Sequence, residues 1–303
     1  MWFKNLALLR FTTPFSTSFE ELETRLAERG FRPCGRSDPL SIGWSSPTGQ
    51  DGAPLTHVIG RFALVCLKKE EKILPSSVVN ETLAERLADS EEQQGRKIGK
   101  REKTELRENI VRELLPRAFS VTRKTYAYID RQGGWLVVDS ASGKKTDELT
   151  GALRQTLGEL PVTPLNTVER PAAVMTRWLT EGAPPDISVE QECELRADDE
   201  EGGIVRCRRQ DLSAPEIQNH LAAGKEAMKL ALSWDDRLGF ALDDKLNIRR
   251  LRFLDTVQEK ASEIETDDAM ARFDADFSIL TLELAEFIPR LLELFGGERS
   301  PSV

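Results

Sequence analysis

The run RFALVCL, residues 61–67, alternates Phe62, Leu64 and Cys66 against Ala63, Val65 and Leu67. A strand that is apolar on both faces has none to offer to water, so it is expected in the middle of a sheet. TYAYIDRQGGWLVVDS predicts a hairpin for that sheet, because two β-rich runs join around Gly133 and Gly134, as primed turns favour. The opening WFKNLALLRF reads as a further strand. It is followed by STSFEELETRLAERG, where a Ser/Thr cap precedes an amphipathic helix that Gly30 terminates. Strands are also expected within residues 187–255, in ISVEQECELRA, GGIVRCRRQDL, EAMKLALSWDD, RLGFALDD and NIRRLRFLD, with the capped helix SAPEIQNHLAAG between the second and third.

Two helical regions differ in kind. In EKTELRENIVRELL the apolar residues Leu106, Ile110 and Leu114 recur every four positions on an otherwise charged rod. Such a helix buries one thin seam, which predicts a projecting arm and not core. From about Asp267 to Phe295, Met270, Phe273, Phe277, Leu280, Leu284, Phe287, Leu291 and Leu294 form a continuous stripe, the mark of a helix packed on a sheet. A dimeric coiled coil is the alternative, and Pro289 is placed to kink the helix. Hairpin-built sheets with interspersed helices and no sustained β-α-β alternation indicate α+β, with mostly antiparallel sheets. The expected regions are residues 1–76 with 121–185 as a central base, 77–120 as the projecting helical arm, and 186–303 as a strand-rich region with a long closing helix.

The chain has 303 residues, of which 39% are hydrophobic and 31% charged, enough for an ordinary folded core. No apolar run approaches the roughly 20 residues that span a bilayer, and the start has no cleavage-like site, so no membrane partner and a cytoplasmic location are expected. Cys34, Cys66, Cys193 and Cys207 form no C-x-x-C pair, and His57 and His220 are the only histidines. No metal or other cofactor is expected, and the thiols are read as reduced and mostly buried. Glycine-rich phosphate loops and the G-x-S-x-G elbow are absent from the sequence, and two histidines leave little scope for nucleophilic catalysis. One enzymatic pattern stands out: Glu70 and Lys72 after a strand, with Asp51 upstream, as ligands and water-orienting cation of a metal-dependent nuclease. E-x-K is common by chance, and its plain reading is a charged strand end.

Net charge is −9, yet residues 96–124 carry ten cations against four anions, while residues 255–298 carry twelve acids against three cations and residues 186–201 eight acids against one. Polarised charge of this kind lets an acidic protein present a local basic surface to a polyanion. Arg96, Lys97, Lys100, Arg101 and Lys103 fall at the turn between the two arm helices, where long cations reach phosphates. In LLPRAFSVTRK, Pro116 stops a helix and leaves Phe119 in a turn near Arg117 and Arg123. Phe119 is read either as a core anchor at the base of the arm or as an aromatic finger for a base, a groove or a partner surface. In RCRRQDL, alternation puts Arg206 and Arg208 on one face and Arg209 on the other, beside Gln210.

The blocks MWFKNLALLRF, FRPCG, LTHV, KKEEKILPSSVV, LLPRAFS, RCRRQDLSAPEIQNHLAAGK and RFDADFSILTLELAEFI together resemble the RdgC family of recombination-associated proteins, nearly from end to end. The resemblance implies a non-enzymatic, nucleoid-associated protein that binds double-stranded DNA, with single-stranded DNA as a second ligand. It also implies a homodimer of horseshoe-shaped subunits that closes into a ring around DNA and restrains recombinase-driven strand exchange. The family's projecting tip maps to Arg96 and Lys97, its phenylalanine at the dimer contact to Phe119 with Arg117 alongside, and its Lys-Gln pair across the opening to Arg209 and Gln210. Arginine in place of that lysine keeps the charge but changes the hydrogen-bond geometry. The acidic segments are then expected to face solvent. An inhibitor that contacts the recombinase without DNA is the remaining alternative.

Overall fold

The computed structural model describes residues 2–197, 202–262 and 268–299. Within them the first half of the chain runs β1 (Asn5–Phe11), α1 (Phe19–Glu28), β2 (Leu40–Ser45), β3 (Thr56–Ile59), β4 (Phe62–Ile73), α2 (Ser76–Gln94), α3 (Lys100–Leu114), β5 (Phe119–Asp130), β6 (Trp135–Val138), α4 (Gly143–Leu157), β7 (Val162–Pro164) and α5 (Pro171–Glu181). The second half runs β8 (Ile187–Arg196), β9 (Ile204–Arg208), α6 (Pro215–Ala222), β10 (Glu226–Trp234), β11 (Leu238–Asp243), β12 (Ile248–Phe253), α7 (Asp255–Ser262) and α8 (Ala269–Leu294). The architecture is α+β, as expected. All strands join one sheet in the order β2-β4-β5-β6-β1-β12-β11-β10-β8-β9, with β3 on β4 and β7 on β1, and every strand pair is antiparallel.

β1 joins the two halves of this sheet. Ala7–Arg10 pair with β6, while Asn5 and Leu6 pair with Arg249 and Ile248 of β12. At the changeover the Asp139 carboxylate accepts the N–H groups of Lys4 and Asn5, at 3.0 and 2.9 Å. Burial nevertheless pushes this carboxyl above its ordinary pKa.

β4 is central, between β2 and β3 on one side and β5 on the other. Its two apolar faces enter two different cores. Ala63, Val65 and Leu67 pack with Leu22 and Leu26 of α1 and Leu149 and Leu153 of α4. Phe62 and Leu64 join the larger core, which α8 crosses. There Phe277 lies 6.2 Å from Tyr128, and Phe287 lies 5.2 Å from Trp234 and 5.0 Å from Phe240, so one helix touches both halves of the sheet. At about 1.5 Å per residue it is long enough to do so. The stripe therefore serves as a sheet-packing face, and Asp268 caps the helix through Met270 N at 2.8 Å. Asp267, the expected first residue, lies outside the described residues.

α2 and α3 form the two-helix arm around a small core of Val79, Leu83 and Ile110. Two readings of the sequence are corrected. Phe119 is not in a turn: residues 115–117 form a single 3-10 turn, and Phe119 opens β5 opposite Ile73. The charged tail of β4 is a strand end, as its sequence reads: Lys68–Lys72 pairs throughout with Ser120–Lys124. Ser213 does not cap α6; its N–H and hydroxyl both bond Asp211, and Ala214 takes the cap position.

Asp139→Ala leaves two N–H groups without their acceptor at the β1 junction. Unfolding in urea should show a loss of about 1–3 kcal/mol. Asp139→Asn, which keeps an acceptor oxygen, should lose less.

Candidate nucleic-acid interface

The turn between α2 and α3 gathers Arg96, Lys97, Lys100 and Arg101, all exposed. They are not equivalent. Arg96 clamps Glu102 with two bonds, 2.9 and 2.7 Å, and Glu102 also accepts Gly99 N–H at 3.1 Å, closing the start of α3. These bonds hold the Glu102 carboxyl down at about 2 and push the Arg96 guanidinium up. Acidification thus breaks the clamp only far below neutral pH. Arg101 is paired weakly along its helix with Glu105 at 3.1 Å and is 93% exposed. Lys97, Lys100, Lys103 and Arg117 are exposed and form no ion pair among the described residues.

At the root of the arm, Phe119 is 86% exposed, the extreme among the large apolar side chains described. It is not a core anchor. Its cross-strand neighbour Ile73 and Val78 in the first turn of α2 are also exposed, at 48% and 42%. Beyond them Thr122, Arg123 and Lys124 are exposed along the ribbon, Arg123 bridging to Glu71 at 3.3 Å. Apolar and basic groups thus share the last turn of the arm and the first residues of β5.

The third predicted site lies at the opposite end of the sheet. β9 ends at Arg208, and Arg209 takes a left-handed backbone, φ 53°, so the alternation that would set Arg209 against Arg206 and Arg208 stops before it. Gln210 N then bonds Gln191 O at 3.3 Å. β9 and β5 are separated by seven strand spacings of about 4.8 Å, or about 34 Å along the sheet. One subunit therefore does not bring Arg209 and Gln210 to Phe119.

A larger group of cations escaped the reading of the sequence. The face of β8–β12 turned away from α8 carries none of the described helices, and Arg206, Arg208, Lys229, Arg249 and Arg250 line a groove of about 480 Å³ across it. NIRRLRFLD reads simply as a strand, and only the register shows that Arg249 and Lys229 share this face with Arg206. The acids of residues 186–201 do not all face solvent as expected. Glu192 binds Arg250 at 2.6 Å, Glu194 binds Arg206 at 2.8 Å, and Asp186 is gripped by Arg290. On α8 Glu283 is buried against Arg237, whereas Asp274, Glu286 and Glu293 are exposed. Asp198, Asp199, Glu200, Glu201, Glu263, Glu265 and Asp267 lie outside the described residues.

Glu70 and Lys72 are engaged elsewhere. The Ser120 hydroxyl and the Cys34 N–H, the latter at 2.9 Å, hold the Glu70 carboxyl below its usual range. Lys72 Nζ donates to the carbonyls of Arg36 and Leu115 at 2.5 and 3.1 Å, tying the strand to the arm. Asp51 sits in the β2–β3 loop. No group of three or more His, Cys, Asp or Glu side chains is placed to hold a metal ion among the described residues, and no described helix is long and apolar enough to cross a membrane.

Because Phe119 packs against little, Phe119→Ala should change the unfolding free energy by less than about 0.5 kcal/mol, measured by denaturant titration. A loss of several kcal/mol would show buried packing instead.

The family model described as "RdgC: Putative exonuclease, RdgC" matches residues 1–298. Three proteins named "Recombination-associated protein RdgC" are similar throughout. Those of Psychromonas ingrahamii and Aeromonas hydrophila are 46% and 47% identical over 301 and 299 residues, covering 99% and 98% of this chain and 100% and 99% of theirs. That of Pseudomonas aeruginosa strain PAO1 is 46% identical over 303 residues, covering 99% of each chain. With the match running from the β1 junction through α8, the chain belongs to the RdgC family of recombination-associated proteins.

Proposed function

We propose that this chain is a non-enzymatic protein that binds double-stranded DNA through its phosphates, largely regardless of sequence. The observation that carries the reading is the clustering of exposed cations, unpaired at the arm and partly paired in the groove, on an acidic chain of net charge −9. Lys97, Lys100 and Lys103 at the arm, Arg117 at its root, and the groove cations across the bare sheet face are all exposed or half-buried. Phosphate contact demands cations of this reach, and no described element presents a helix or ribbon patterned to read base edges. Single-stranded DNA, whose phosphates are the same, is a second ligand of this surface.

The subunit acts as a homodimer whose two horseshoes close into a ring around DNA. Phe119 and Ile73 form an apolar contact at one closure, Arg117 stands beside them, and Arg209 and Gln210 serve as the gate across the opening. The separation of β5 from β9 supports contacts made between subunits. A ring on duplex DNA obstructs a recombinase filament, and the relatives' printed name places them with recombination. The protein is accordingly placed on the nucleoid, where it restrains strand exchange.

A second reading comes from the word exonuclease in the family description. It needs Glu70 and Lys72 to leave their present partners. Metal-dependent cleavage of duplex or single-stranded DNA that Glu70→Ala and Lys72→Ala abolish would favour it. A third, recombinase inhibition by direct contact, would be favoured if charge reversals at Lys97 and Arg117 left inhibition intact.

DNA affinity should fall steeply with salt, with a slope in log K against log salt of about −0.9 for each phosphate neutralised. Equal affinity at low and high salt would sink the proposal. Glu102→Gln releases Arg96 from its clamp and should raise affinity while steepening the slope by about one. Phe119→Ala should speed loss of protein from linear DNA more than from covalently closed circles.

A further inference from the structure

The ladder between β8 and β9 sets two of the four free cysteines face to face. Cys193 pairs with Cys207 in register, with Glu192 opposite Arg208 and Glu194 opposite Arg206 on either side. Directly opposed residues of an antiparallel pair have Cα atoms about 4.5–5.5 Å apart, inside the span of about 4.4–6.8 Å that a disulfide bridges. Both cysteines are nearly buried, 5% and 6% exposed, and face the core beside Ile217 and Leu221, on the side of the ladder opposite Arg206 and Arg208. The other two thiols are placed differently: Cys66 lies opposite Tyr126 and Ser45, and Cys34 sits beside Glu70.

β9 is the last strand of the sheet and is bonded to β8 alone. An edge strand of five residues opens more readily than a central one. It nevertheless carries Arg206 and Arg208 and leads directly into Arg209 and Gln210. A covalent cross-link at Cys207, between the two groove arginines, would fix those side chains against β8.

We propose that Cys193 and Cys207 are a modification site at which a peroxide forms a cross-strand disulfide that locks β9 onto β8. One thiolate attacks a peroxide oxygen, the O–O bond breaks, and the leaving hydroxide takes a thiol proton to become water. The second sulfur attacks the resulting sulfenic sulfur, the S–S bond forms, and a second water leaves. Two thiols are oxidised, one peroxide is reduced, and two waters are released. Burial raises the Cys193 thiol pKa, so the reaction should be slow at neutral pH and quicken about tenfold per pH unit as thiolate becomes available.

The test uses the full-length folded protein. It is treated with hydrogen peroxide, quenched, denatured, and titrated for free thiols, then digested without reduction and mapped by mass. The expected result is a fall from four thiols to two, a mass loss of two hydrogens, and a Cys193–Cys207 linked peptide that dithiothreitol separates. A Cys34→Ser/Cys66→Ser variant should form the same link, its thiols falling from two to none, while Cys207→Ser should form no intramolecular link. Amide exchange across residues 204–208 should slow in the oxidised protein. Four remaining thiols, oxidation of either cysteine to stable sulfinic acid, or a link through Cys34 or Cys66 would overturn the site. Unchanged exchange in a protein carrying the mapped link would overturn the locking.

Discussion

Everything else in the molecule hangs on the divided pairing of β1. A seven-residue strand gives four positions to β6 and two to β12, so the two halves of the sheet share backbone hydrogen bonds at one seam. Such a seam is weak unless its polar groups are satisfied and something spans it. Asp139 satisfies the first need by accepting two N–H groups just where β1 changes partner. α8 meets the second. Its aromatic side chains reach Tyr128 on one side and Trp234 on the other, and His57 in β3 stands 3.2 Å from Asp274. The arm then rises from the β4–β5 end, and β9 lies at the far end. The spacing between the two predicted contact sites is a consequence of the seam.

Much of the core was legible because burial writes itself into periodicity. The two-faced apolar run of β4, the α8 stripe and the Gly133–Gly134 hairpin each obey a simple period, and each is found where that period puts it. β2 and β7 lacked such a signal: β2 leaves Leu40 and Ile42 largely exposed, and β7 has three residues and none buried. The charged first half of β5 was illegible for the same reason. Its residues are held by backbone pairing and by polar side-chain contacts such as Arg123 to Glu71, and no apolar pattern records that.

The candidate site was legible to different depths. Runs of cations at the arm are visible in any reading of LLPRAFSVTRK and its upstream helix, yet Arg96 and Lys97 look alike there and only the fold shows one clamped and the other free. Arg249 and Lys229 could not be joined to Arg206 without the register of β8 to β12. Arg209 was misplaced because alternation assumes an unbroken strand, and a left-handed residue ends it. The resemblance to the RdgC family singled out Phe119. Its exposure agrees with an interface role, but the periodicity around it was silent.

The seam also sets an order of events on the ribosome. Arg250 N donates to Asn5 Oδ1 across 245 residues of sequence, and Leu251 N donates to Lys4 O beside it. β1 thus waits for β12, the last of the described strands, before its own pairing is complete. Until then its N-terminal end is an open edge of the kind that recruits unwanted strands, and contacts of such long range close slowly. The chain spends the greater part of its synthesis with its central joint unmade, and residues 4–6 are the edge left to be covered in that interval.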